Sequence, residues 1–555
     1  MRQDPSGWST RLDEATIAAN AASGIWRNHT QADLVAAQLA RDPSQVMVID
    51  GEARLTARDI DAQANALAGA LVRMGLTAGD VVSFQLPNWA EAMVIDVAAA
   101  MLGLVVNPII PIYRDAEVSY ILKDAGTKVF FIPTSFRNFD YVAMVERHRA
   151  DLPALGHVVT VRGEAAGCVG FADLLKAGID GPGALPAVDP NAVKLIMYTS
   201  GTTGRPKGVL HSHNTIDTEN QAFAKFLGLD GRDVILMPSP VTHITGYLYG
   251  LQLPFVLGAP VVFMERWDAA AAIGLIERHG VTFTVAATVF LQELTEVCAQ
   301  AGKRLPSLRY FPCGGAPVPP EIIHRAHRTF ERCVCARIYG STEAPTVTLG
   351  VASRAEEEIG ATTEGRIVGH EVRLLDEAGR EVARGTEGEI ATRGPEMCLG
   401  YADPEHNDAF DADGYFHTGD LAVMTPEGCL VITGRKKDLI IRGGENLSPR
   451  EVEDALHRHP AIQEAAVVAM PHPRLDETGC AYVILKPGAT LDLAGMTEFL
   501  KTTGMARQKF PERLEIIEAF PRTPAGKIRK NVLRDEIAAK IAAEGAGARQ
   551  HSAGR

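Results

Sequence analysis

Short apolar runs rich in β-branched residues alternate with alanine-rich stretches of helical periodicity through the first 300 residues, and no other feature narrows the possible folds as much. Asp80-Val-Val-Ser-Phe-Gln-Leu-Pro87 reads as a buried strand, 89–104 as a helix, and Lys128-Val-Phe-Phe-Ile-Pro133 as the next strand. Apolar runs at 192–198, 233–237, 260–264 and 281–285 each lead into a glycine-bearing loop or a helical stretch. Strands that are apolar along their whole length are buried on both faces, as in parallel sheets covered by helices. The expected class is therefore α/β.

A chain of 555 residues exceeds what one core organises. We expect a large N-terminal domain, residues 1–434, made of two layered αβ subdomains and a small β-rich unit beginning near Gly360. A small, mobile α+β domain (435–540) and a flexible tail (541–555) should follow. The charged turn Gly434-Arg-Lys-Lys-Asp438 separates apolar strands at 429–433 and 439–442, which suits a joint between domains. Downstream, Ser448 should cap a helix that starts at Pro449, with Glu451 completing a capping box.

Composition excludes several classes. The net charge of −13 leaves no general basic footprint for nucleic acid or anionic lipid. The eight cysteines lack metal-ligand spacing, so reduced, mostly buried thiols are expected. Residues 1–26 lack the continuous apolar core of a leader, which makes the cytoplasm the default location. The stretch 234–264 runs about 30 residues without a charge, long enough to span a bilayer. Pro238, Pro240, Pro254 and Pro260 interrupt it, so a buried helix and strand are expected there rather than a span.

The densest chemical signal is Tyr198-Thr-Ser-Gly-Thr-Thr-Gly-Arg-Pro-Lys-Gly208. Glycines and small hydroxylated residues expose backbone N–H groups, and Lys207 adds a charge, so Thr199, Ser200, Gly201, Thr202, Thr203, Gly204 and Lys207 suit a loop that wraps phosphates. Neither a Walker A motif nor G-x-G-x-x-G occurs, which disfavours P-loop NTPases and Rossmann oxidoreductases.

This loop resembles the phosphate-binding signature of the AMP-forming adenylating enzymes, the superfamily of acyl-CoA synthetases, peptide-synthetase adenylation domains and beetle luciferases. Tyr339-Gly-Ser-Thr-Glu-Ala344, Tyr415-Phe-His-Thr-Gly-Asp-Leu421, Gly434-Arg435 with Lys437-Asp438, and Pro521-Arg-Thr-Pro-Ala-Gly-Lys527 follow in the family's order. The resemblance implies that Tyr339 stacks on adenine, that Gly340, Ser341 and Thr342 line the nucleotide with Thr342 at the α-phosphate, and that Glu343 is a ligand for Mg²⁺. It implies that Gly314, Gly315, Ala316 and Pro317 form the adenine-side loop, and that Asp420 and Arg435 hold the ribose. Lys527 is implied to reach the carboxylate and the α-phosphate together.

The implied reaction has two steps. A carboxylate attacks the α-phosphorus of ATP and expels pyrophosphate; a thiol then displaces AMP from the acyl-adenylate. For the second step Gly443, Gly444 and Glu445 resemble the loop that lines the pantetheine tunnel of the CoA-ligase branch, His243 is implied to sit where acyl group and thiol meet, and Lys437 is the implied hinge. The residues of the implied acyl pocket, His243, Gly246, Val289, Gly314, Thr346 and Val347, are mostly small or apolar, and 242–247 lacks the Asp that holds a substrate ammonium. An uncharged aliphatic, alicyclic or aromatic acid is expected, with a lean towards alicyclic or medium-chain acids.

No carrier-protein segment follows residue 530, so CoA is the expected acceptor. The alternatives are an acyl- or aryl-AMP ligase serving a carrier protein, a luciferase-like oxidation, and an inactive nucleotide-binding regulator. No nucleic acid or membrane span is expected as a partner, and a homodimer is compatible with the sequence.

Overall fold

The computed structural model describes residues 1–199, 205–443, 445–522 and 527–552, with side chains through residue 544. Two sheets dominate the N-terminal part. The first, seven-stranded, runs in the order Val169–Gly170, His157–Val161, Val129–Pro133, Val81–Phe84, Val105–Pro108, Val193–Thr199 and Lys207–Ser212, parallel apart from the last pair. The second places Val334–Ile338, Tyr310–Gly314, Phe283–Thr284, Ile235–Met237, Val261–Phe263 and Val46–Asp50 side by side in parallel, with Ala53–Thr56 antiparallel at its edge. The α/β expectation holds.

Helix Ala90–Leu102 shows why one stretch is apolar all round: every residue but Glu91 is buried. It packs against helix Ala57–Arg73, helix Gln31–Arg41 and strand Val46–Asp50, inside the largest apolar cluster of the chain. Residues 234–264 form the buried helix and strand expected. Strand Ile235–Met237 leads to a helical segment from Ile244 to Leu257, then strand Val261–Phe263. Its middle widens into a π turn at Tyr247–Gln252, next to Pro254, which has no N–H for the carbonyl four residues back. No helix among the described residues is long and apolar enough to cross a membrane. The cysteines are free thiols, and all but the half-buried Cys168 are buried.

A five-stranded antiparallel sheet of Gly365–Arg366, Cys429–Arg435, Phe416–Met424, Glu387–Arg393 and Glu371–Leu375 forms the β-rich unit. One 3₁₀ turn, Lys436–Asp438, separates it from a further sheet made by Ile440–Arg442, Glu445–Leu447, Asp476–Leu485, Ile462–His472 and Arg513–Ile516.

Two local expectations are corrected. The helix Pro449–Leu456 starts where expected, but the Ser448 side chain does not cap it. Its hydroxyl donates instead to the Thr433 carbonyl (2.5 Å), tying this helix to the β-rich sheet, while Glu451 accepts from Lys509. Residues 541–552, expected to be a flexible tail, continue the helix Lys530–Ser552. The glycine-rich loop follows a strand as expected, and on its far side strand Lys207–Ser212 pairs antiparallel with that strand before helix His213–Leu227 begins.

Candidate active site

The parallel second sheet accounts for most of the site. Segments leaving the carboxyl ends of neighbouring strands carry His243 and Gly246 (after Ile235–Met237), Val289 (after Ala286–Ala287), Gly314 to Pro317 (after Tyr310–Gly314) and Tyr339 to Val347 (after Val334–Ile338). In open α/β sheets ligands collect at this edge. Two contacts require glycine: a Cβ on Gly246 would stand 2.0 Å from the Pro240 carbonyl oxygen, and one on Gly340 1.9 Å from that of Pro345. The second closes the Tyr339–Ala344 turn, in which the Ser341 N–H donates to the Ala344 carbonyl (2.8 Å).

The β-rich sheet supplies the other wall. Asp420 and Arg435 face each other in register on adjacent strands. Arg435 Nε donates to Asp420 Oδ1 (2.6 Å) and the Tyr339 hydroxyl to Asp420 Oδ2 (2.7 Å). Burial, and then the Asp420 charge, push the Tyr339 pKa far up, so the phenol stays a donor. The carboxylate is thereby held by an aromatic ring on one side and a guanidinium on the other.

Glu343 is oriented by a residue that the sequence reading passed over. The Tyr401 hydroxyl donates to Glu343 Oε1 (2.7 Å), and Lys207 Nζ lies over the Tyr401 ring, 5.6 Å from its centre. Tyr401 is itself fixed because 399–402 pairs with the hairpin strand through Leu399 N–H to the Leu210 carbonyl and Ala402 N–H to the Gly208 carbonyl. Tyr401 follows strand Glu387–Arg393 by eight residues and carries no local sequence signal. A single half-buried carboxylate fits Mg²⁺, which takes one or two protein oxygens and fills its shell with phosphate and water.

His211 was also passed over. Its Nε2 lies 2.7 Å from the Thr342 carbonyl, so Nε2 carries the proton, and Nδ1 faces the Thr215 hydroxyl (3.1 Å). Burial lowers its pKa from 6.5 to about 4. The unfolded chain therefore binds more protons than the folded one between those values, and stability should fall as pH drops through that window, by about 3 kcal/mol in all. Urea unfolding of His211→Gln from pH 7 to 4 should show a slope shallower by up to one proton; an unchanged slope would remove His211 from this role.

Lys527 enters from the C-terminal part. A methyl on Gly315 would stand 3.7 Å from its Cε. Lys527 keeps contact with solvent, yet crowding by protein atoms, and then the Arg435 charge, hold its pKa below the usual lysine value, against the pull of Asp420 and Glu343. Its charge is also felt at His243, whose pKa burial first, and Lys527 second, lower to about 4. His243 is thus neutral at pH 7, with Nδ1 accepting from the Thr245 N–H (3.4 Å).

Among the implied pocket residues, Gly246 and Val347 are buried and His243, Val289 and Gly314 half-buried. Thr288 Oγ1 reaches the Ala316 carbonyl (3.5 Å), bridging the Val289 and Gly314 segments. The Thr346 hydroxyl is committed to Glu219. Thr199 ends its strand opposite Lys207, whereas Ser200, Gly201, Thr202, Thr203 and Gly204 lie outside the described residues, as does Gly444.

The structure does not bring every candidate to this centre. Gly443 (φ 59°) and Glu445 sit at the tip of the hairpin Ile440–Arg442/Glu445–Leu447, and the Gly443 N–H donates to Leu475 in the same C-terminal sheet region. Lys437 lies in the 3₁₀ turn, whose Asp438 accepts from Arg534 (3.0 Å).

Comparison with known proteins agrees with this geometry. The model of the AMP-binding enzyme family matches residues 35–402, and that of the AMP-binding enzyme C-terminal domain matches 451–527. The chain belongs to the AMP-binding enzyme family. It is 35% identical to the medium-chain fatty-acid–CoA ligase of Escherichia coli K12 over 96% of its own length and 94% of that protein's. It is 31% identical to the 2,3-dihydroxybenzoate-AMP ligase of Bacillus subtilis 168, over 94% and 96% of the two chains. Among solved structures, ATP-bound MatB of Rhodopseudomonas palustris superposes with a TM-score of 0.81 at 26% identity, covering 91% of this chain and 98% of that one.

Proposed function

We propose that this AMP-forming acid–CoA ligase activates an uncharged aliphatic, alicyclic or aromatic acid, with medium-chain and alicyclic acids the first to test. The observation that carries the reading is the meeting of Lys527 with the Gly315 loop, the Tyr339–Asp420–Arg435 cluster, Glu343 and His243 at one strand edge.

In the first step Asp420 accepts the ribose hydroxyls, with Arg435 beside it, and Tyr339 stacks on the adenine. Lys207 and Lys527 screen the acid and the α-phosphate from each other while a carboxylate oxygen attacks the α-phosphorus and pyrophosphate leaves. Glu343 would hold Mg²⁺, which supplies neutralisation of phosphate charge. In the second step the CoA sulfur attacks the acyl carbon and AMP leaves with its electron pair. Neutral His243, with Nδ1 held by the Thr245 N–H and Nε2–H free to donate, would stand where the acyl group and the thiol meet, and the thiol proton leaves to solvent.

Lys527 and the Gly443–Glu445 tip belong to one C-terminal unit but serve different steps, so that unit turns about Lys437 between them. Lys437→Pro should lower thioester formation about tenfold more than adenylation, equivalent to about 1.4 kcal/mol. Rapid-quench assays of each half-reaction measure this, and equal losses would count against the turn.

The Bacillus subtilis relative, an AMP ligase, favours a second reading in which the adenylate passes to a carrier protein. Mass spectrometry after incubation with ATP, Mg²⁺, CoA and a mixed pool of acids separates the two. Acid-dependent acyl-CoA with AMP supports the ligase and identifies its substrate class; adenylate without thioester supports the carrier-dependent reading; neither product would leave a nucleotide-binding regulator.

A further inference from the structure

Beneath the acyl side of the site lies a buried cluster that the two-step reaction does not use. Glu219 comes from helix His213–Leu227, His370 precedes strand Glu371–Leu375, and Glu396 follows strand Glu387–Arg393. One donor atom from each lies within 4.8 Å of the others. Glu219 and Glu396 are each 1% exposed and the His370 side chain is fully enclosed.

Each ligand is oriented from outside the cluster. His370 Nδ1 lies 3.2 Å from Thr392 Oγ1, a contact that orients the ring with Nε2 turned inward. Glu219 Oε1 accepts from the hydroxyls of Tyr249 (2.6 Å) and Thr346. Room for the Glu396 carboxylate is kept by Gly369 (φ 72°), where a Cβ would stand 2.2 Å from Oε1.

Among the described residues the inner atoms have only each other. His370 Nε2 and Glu396 Oε2 face each other at 3.0 Å, and neither makes a hydrogen bond among the described residues. No hydrogen bond or ion pair of the described residues brings a Lys or Arg to Glu219 or Glu396. Two buried carboxylates side by side are unfavourable unless a positive charge or a proton lies between them.

We propose that Glu219, His370 and Glu396 bind a divalent first-row transition-metal cation, at a site separate from the nucleotide-linked Mg²⁺ of Glu343. One imidazole nitrogen and two carboxylates suit zinc, manganese or iron(II). The ion fastens helix His213–Leu227 to the β-rich sheet and, through Glu219 and Thr346, steadies the floor of the acyl pocket.

The test uses full-length protein stripped with a chelator, without ATP and with millimolar Mg²⁺ present, titrated with Co²⁺ and followed by d–d absorption and by metal analysis after gel filtration. About one Co²⁺ per chain is expected, with affinity lowered at least about tenfold in Glu396→Gln and His370→Gln. Thr392→Val, which removes only the outer partner of His370, covers the case in which those variants do not fold, and it should weaken binding about 10- to 100-fold. Less than about 0.1 Co²⁺ retained by the wild type, or equal binding by the variants, would overturn the site and leave a shared proton between the carboxylates.

Discussion

Replacing Lys527 by alanine is expected to lower acid-dependent adenylate formation about 10²–10³-fold, the loss typical of removing one preorganised charge partner from a transition state. Lys527 stands beside Gly315, within electrostatic reach of Asp420, Glu343 and His243, so its ammonium is presented where two anions must approach. It is solvent-accessible, so the fold should survive the change. Acid-dependent exchange of pyrophosphate into ATP measures the effect. A loss of less than about tenfold, or under 1.4 kcal/mol, would remove Lys527 from the first step. Thioester formation from supplied adenylate should stay close to wild type under the proposed assignment of that step to the Gly443–Glu445 end of the domain.

Asp96→Ala should destabilise the protein by about 3–5 kcal/mol, because it strands a buried lysine. Asp96 lies midway along the enclosed helix Ala90–Leu102, and Lys194 enters the first sheet one residue into strand Val193–Thr199. Lys194 Nζ donates to Asp96 Oδ1 (2.8 Å), the Tyr247 hydroxyl donates to the same oxygen (2.5 Å), and Gln252 Nε2 donates to Oδ2 (2.6 Å). Both charged side chains are 1% exposed. The urea-unfolding midpoint measures the loss, and the pair Asp96→Leu with Lys194→Met should recover much of it by removing both charges. A single-variant loss below about 1 kcal/mol would show that the pair is not a structural clasp.

Element order was legible because it rests on local patterns. Apolar β-branched runs made the strands at 81–84, 129–133 and 193–199, and the proline-broken run at 234–264 settled as a buried helix and strand. The hairpin at the glycine-rich loop was missed because Lys207–Ser212 is a short strand, defined by pairing with Val193–Thr199 rather than by any periodicity of its own. Ser448 carries a capping signature, but its hydroxyl lies closer to the Thr433 carbonyl, and a tertiary partner displaced the local one.

By itself the sequence determined the chemistry on offer: a loop rich in glycine and hydroxyls, Glu343 in its tight turn, Asp420 and Arg435, and Lys527 near the end of the second unit. Residue type and short spacing carry that information, because phosphate, ribose and magnesium each call for particular groups. Only the tertiary structure decided which neighbours hold those groups in place. Tyr401 reaches Glu343 across 58 residues, His211 reaches Thr342 across 131, and Lys194 reaches Asp96 across 98. Such pairs depend on which strands lie side by side, and strand order follows from the packing of whole layers, which no local stretch of sequence encodes.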